Sequence, residues 1–103
     1  MAVYYTYMVV CRDGTLYTGY TDDLVQRMRK HNSGRGAKYT RSRLPVRLVY
    51  WEKYAGKQQA MRREYAIKQW SRQQKLQLLA PQQRQQILAE KKRYVCKTCG
   101  SKI

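Results

Sequence analysis

The chain has 103 residues, enough for one hydrophobic core and too few for two. With 43% hydrophobic and 27% charged residues it reads as a folded domain, which excludes a disordered segment. Its 22 Lys and Arg stand against six Asp and Glu, a formal charge of +16 that calls for a polyanionic partner.

Nucleic acid is the usual partner at this charge, bound through phosphate neutralisation and counterion release. The basic residues are spread along the whole chain rather than gathered on one amphipathic helix, which argues against a membrane surface. The apolar run from Val3 to Cys11 is too short to span a bilayer and lacks a basic lead, so no targeting segment is expected. Three cysteines make no disulfide framework and suit a reducing, cytoplasmic setting. The aromatics are ten Tyr and two Trp with no Phe, a set that fills a core yet keeps polar groups for a wet surface.

Residues 3–10 (VYYTYMVV) are β-branched and aromatic and predict a first strand. Asp13-Gly14 marks a tight turn, and residues 15–20 resume strand character, so the two runs make an antiparallel hairpin. Gly19 inside the second run marks a close approach of another backbone or a ligand. Thr21 or Asp22 offers an N-cap for a helix over 23–32, where Leu24, Met28 and His31 share one stripe. Residues 33–45 are rich in Gly, Ser and base and read as an exposed loop. A third strand is predicted over 46–54 and a second helix over 57–69. Ser71 caps a third helix over 72–79. Pro81 suits the first turn of a fourth helix over 82–92. The order β-β-α-β-α-α predicts an α+β domain over residues 1–80: a small three-stranded antiparallel sheet flanked by helices. Residues 81–103 add a C-terminal helix and a basic tail with Cys96 and Cys99.

Among the six acids, Glu64 stands out. At helical spacing it projects between Ala60, Met61 and Ile67, on a face that should meet the sheet. A carboxylate there needs a partner. A salt bridge to a nearby Arg or Lys is one reading. A hard-cation ligand is the other, with Mg²⁺ preferred because it accepts a single carboxylate plus waters. Tyr5 and Tyr7 share one face of the first strand and Tyr17 lies on the second. Taken alone they read as cross-strand core aromatics.

The combination is more specific. Tyr5-Thr6-Tyr7, nine intervening residues, then Tyr17-Thr18-Gly19 resembles the paired motif of the GIY-YIG nuclease family. Tyr5 and Thr6 stand where the family name has Gly and Ile. Arg27 follows ten residues after Tyr17, His31 one helical turn later, and Ala60 to Lys68 looks like the family's metal-ligand helix. The likeness covers about residues 3–79 and is strongest to the short, stand-alone bacterial members. The same module opens the incision protein of nucleotide-excision repair and occurs in intron-homing endonucleases.

The resemblance implies a metal-dependent endonuclease that hydrolyses a phosphodiester bond, in DNA rather than RNA, with Mg²⁺ or Mn²⁺ as its one divalent cation. It implies that Tyr17 takes the proton of the attacking water, a role that needs cations beside the phenol. Tyr7 would orient the water or the phosphate, Arg27 would clamp the phosphate, and His31 would assist proton transfer. Glu64 would hold the metal. Lys38, Arg41, Arg43, Arg62, Arg63, Lys68, Arg72 and Lys75 would contact substrate phosphates. Many family members carry an Asn after the metal-ligand helix; here the region reads Arg72-Gln73-Gln74-Lys75-Leu76, leaving Gln74 or Lys75 to replace it. A non-catalytic DNA- or RNA-binding module on the same fold is the alternative reading. Cys96-x-x-Cys99 is half of a zinc site with no second pair in the chain. A monomer is expected.

Overall fold

Residues 6–10 are buried on both faces of a sheet, which is why their strand reads as an unbroken apolar run instead of an alternating one. The computed structural model describes residues 3–80; the predicted helix over 82–92 and the Cys96/Cys99 pair lie outside them. Strand β1 (Tyr4–Val10) sits between β2 (Leu16–Thr21) and β3 (Arg47–Tyr54), each antiparallel to it. The β1–β2 turn is held by Gly14 at φ 83° and by the Asp13 carboxylate, which accepts from the Thr15 amide and hydroxyl.

Helix α1 (Leu24–Asn32) begins one residue later than the predicted caps allow. Asp23 is the cap, accepting from the Gln26 amide at 3.1 Å, while the Thr21 hydroxyl accepts from the Asp23 amide. Leu24 and Met28 pack with Tyr7, Val9, Cys11 and Val46 on one face of the sheet. Helix α3 (Lys57–Lys68) and helix α4 (Arg72–Leu76) lie on the other, where Ile67, Leu76 and Leu79 join Met8, Val10, Leu16 and Val49. This is the expected α+β layering. Helix α4 ends before the predicted residue 79, although Leu79 stays buried. Among the described residues, no helix is long and apolar enough to cross a membrane.

The stretch 33–45 departs from expectation. It contains a four-residue helix, α2 (Lys38–Arg41), and Thr40 within it is wholly buried. Its polar composition hides this, because Thr40 is buried through hydrogen bonds and not through an apolar pattern. Trp51 is exposed and Tyr50 packs on the core, so Tyr50 is the inward member of that pair. Met61, expected on the packed face of α3, is exposed; Ala60 and Ile67 carry that face.

Candidate active site

Register places Tyr7 opposite Gly19 and Val9 opposite Tyr17, so both tyrosines rise from the α1 face of the sheet, with the Met8–Thr18 pair between them. The close approach expected at Gly19 is made by the Tyr7 ring. A Cβ there would stand 2.7 Å from Tyr7 Cζ, so only glycine lets the phenol cross the neighbouring strand. The Tyr7 hydroxyl then meets two side chains of α1. Arg27 Nε donates to it at 3.2 Å, and His31 Nε2 lies 2.8 Å away.

His31 is fixed on every side. Its Nδ1 lies 2.9 Å from Thr40 Oγ1, and its ring meets Tyr7 and Tyr17 edge-on at centroid distances of 6.0 and 5.6 Å. Gly36 presses on it, since a Cβ at Gly36 would stand 2.8 Å from His31 Cα. Tyr39 of α2 stacks on Tyr17 at 5.8 Å and an interplanar angle of 22°. The segment read as a loose basic loop is therefore one wall of the site.

Helix α3 closes the other side. Because β2 is an edge strand, Lys68 can reach around it, and its Nζ stands 5.6 Å from the centre of the Tyr17 ring. The same Nζ is 3.3 Å from Glu64 Oε2. A chain of contacts thus joins Tyr7, Tyr17, Arg27, His31, Lys68 and Glu64, drawn from two strands and two helices. Glu64 has an ion-pair partner, as the salt-bridge reading foresees.

Burial separates the roles of these groups. Tyr7 and His31 are both 0% exposed, so neither touches a substrate in this conformation, contrary to the direct roles expected for them. Burial raises the Tyr7 pKa, opposed by the Arg27 hydrogen bond. Tyr17 and Arg27 keep exposed atoms. Arg27 spends Nε on Tyr7, leaving its two terminal nitrogens without a partner among the described residues. It borders an open cleft of about 350 Å³ with Tyr4, Tyr20 and Lys57. An apolar cavity of about 610 Å³ lies between α1 and Leu48 and contains none of these groups.

Several expected phosphate contacts have other work. Arg43 pairs with Asp13 at 3.2 Å, donates to the Tyr39 carbonyl and covers the Tyr39 ring. Arg63 forks onto Glu52 at 2.8 and 3.0 Å and lies over Trp70; Tyr50 and Tyr54 also donate to Glu52. Arg72 donates to the Gly14 carbonyl. Lys38, Arg41, Arg62 and Lys68 are exposed. Gln74 closes the capping box with Ser71 through its Oε1. Lys75 lines a small cleft beside Tyr39, and burial and Lys68 lower its pKa.

Burial, then the Arg27 cation, lowers the His31 pKa to about 4 from an ordinary 6.5. Between those values the unfolded chain binds a proton that the folded chain does not, so stability falls as pH drops through that window. Denaturant titrations from pH 7 to 4 should show a steeper loss for wild type than for His31→Gln. The slopes should differ by up to about 1.4 kcal/mol per pH unit. Equal slopes would mean that His31 is not held neutral by the fold.

As a single ligand from this chain, Glu64 fits a hard cation that completes its shell with water and substrate oxygens. Among the described residues, no group of three or more His, Cys, Asp or Glu gathers to make a protein cage.

Residues 3–77 match the model of the GIY-YIG catalytic domain. A UPF0213 protein of Staphylococcus haemolyticus is 56% identical over 79 residues, covering 77% of this chain and 96% of its own. One from Streptococcus agalactiae is 58% identical over 72 residues, 70% of this chain and 82% of its own. The solution structure of a UPF0213 protein of Bacillus halodurans is 46% identical and aligns at a TM-score of 0.51, over 81% of this chain and 93% of that one. A second solution structure, from E. faecalis, is 40% identical at 0.51, over 73% and 80%. Matched over residues 3–77 and more than half identical to a relative across most of its length, the chain belongs to the GIY-YIG family and is similar to its small UPF0213 members.

Proposed function

We propose that the protein is a divalent-metal-dependent endonuclease that hydrolyses a phosphodiester bond in DNA. The observation that carries this reading is the convergence of Tyr17, Arg27 and the Glu64–Lys68 pair around the edge of β2. Tyr17 accepts the proton of the attacking water, with the Lys68 cation beside its ring. Arg27 holds the scissile phosphate with its terminal nitrogens, which stabilise charge as it develops in the transition state. Tyr7 and His31 hold Arg27 in place. Glu64 would bind Mg²⁺ or Mn²⁺, and such an ion supplies Lewis acidity toward the leaving oxygen. Lys38, Arg41 and Arg62 remain available to track the backbone.

The second reading, a non-catalytic nucleic-acid-binding module, draws support from Glu64 having Lys68 as a partner already. The two readings separate on a panel of nicked, branched and single-stranded DNA and RNA with Mg²⁺, Mn²⁺ or EDTA. The nuclease reading expects cleavage of at least one DNA that EDTA abolishes. Binding without cleavage across the whole panel supports the second. Under both, affinity should fall steeply with salt, each neutralised phosphate adding about −0.9 to the log–log slope on duplex DNA. A salt-independent affinity would remove nucleic acid as the partner.

A further inference from the structure

We propose that Thr40 is a positioning residue for phosphodiester cleavage, setting the tautomer of His31 and thereby the hold of Tyr7 on Arg27. The effect on cleavage rests on the nuclease reading; the tautomer does not.

The direction of the hydrogen bonds follows from their two ends. Arg27 Nε can only donate, so the Tyr7 oxygen accepts from it at 3.2 Å. The Tyr7 hydrogen then has His31 Nε2 as its acceptor at 2.8 Å, which leaves Nε2 without a proton of its own. At the far end, the Ala37 carbonyl can only accept, and the Thr40 hydroxyl donates to it at 3.0 Å. Thr40 Oγ1 is therefore an acceptor toward His31 Nδ1, 2.9 Å away. Both ends require the same state: neutral His31 with its proton on Nδ1.

The other tautomer breaks this order twice. Nε2–H would point at a Tyr7 oxygen already accepting from Arg27, stranding the Tyr7 hydrogen in a buried setting. Thr40 would also have to turn away from Ala37 to donate to Nδ1. Rotating the ring is no escape, since Gly36, Tyr7 and Tyr17 pack around it. Thr40 is itself held: the Arg41 amide donates to the Ala37 carbonyl at 3.1 Å and the Arg43 amide to the Thr40 carbonyl at 2.9 Å. Arg43 is braced in turn by Asp13. With His31 in the Nδ1–H form, the Tyr7 oxygen faces Arg27 as a pure acceptor, and the guanidinium keeps its outer nitrogens for phosphate.

His31 is the only histidine in the chain, so its ring nitrogens can be read without assignment. Long-range ¹⁵N–¹H correlation spectra of the full chain near neutral pH should show the Nδ1–H tautomer. Thr40→Val keeps the shape and removes the acceptor; it should populate the Nε2–H form and lower kcat about tenfold, the scale of one buried hydrogen bond, with KM little changed. Thr40→Ser should restore both the spectrum and the rate. An Nε2–H wild type overturns the proposal even if Thr40→Val does not fold, as does Thr40→Val retaining Nδ1–H. A changed tautomer with unchanged kcat overturns the positioning role. A wild type that shows Nδ1–H and cleaves nothing in the substrate panel fails the nuclease reading and the positioning role with it, while the tautomer assignment stands.

Discussion

Glu64→Gln is expected to lose cleavage by at least about 10²-fold while binding DNA as well as wild type or better. The substitution keeps the shape of the side chain and its capacity for hydrogen bonds, and removes only the charge that a hard cation needs. Loss of the fold would not explain the result. Glu64 and Lys68 form an i,i+4 pair in which Lys68 is exposed, and such pairs contribute only about 0.3–0.5 kcal/mol. Binding should survive because the change makes a chain of formal charge +16 more positive near the substrate. Cleavage and affinity are measured on the same labelled duplex, with Mg²⁺ for the first and EDTA for the second. Wild-type cleavage by Glu64→Gln, in preparations free of contaminating nuclease, would falsify the metal-ligand role.

The parts of this site differ in how far the sequence discloses them. β1 is legible because its middle residues are apolar on both faces, and the hairpin because Asp13-Gly14 leaves the chain little choice but to turn. Arg27 and His31 are legible as i,i+4 neighbours on a helix that carries Leu24 and Met28 toward the sheet. Gly19 marks a close approach without saying what approaches; the answer, the Tyr7 ring, depends on a register set across two strands. Thr40 leaves no trace in the pattern, because a threonine buried by two hydrogen bonds has the composition of a loop residue. Arg43, Arg63 and Arg72 mislead for a related reason. Any basic residue near a basic site reads as a phosphate contact, and only the fold reveals which cations are occupied by Asp13, Glu52 and the Gly14 carbonyl.

Arg27→Ala should lower cleavage by about 10²–10³-fold, the scale of one donor removed from a developing anion. Arg27→Lys restores the charge and should recover only a minor part of the rate. A lysine presents one ammonium, whereas Arg27 uses Nε to hold Tyr7 and keeps its outer nitrogens for a phosphate. Affinity should change little in either variant, since most of the 22 Lys and Arg remain. Tyr7→Phe should lower the rate less than Arg27→Ala, because it frees the guanidinium without removing it. Single-turnover rates for Arg27→Lys, Tyr7→Phe and the double variant test the coupling. The losses should be strongly non-additive, because both single changes break the same Nε–hydroxyl contact. Additive losses would detach Tyr7 from the action of Arg27. Full activity in Arg27→Lys would show that a point charge suffices and that the contact with Tyr7 serves only the fold.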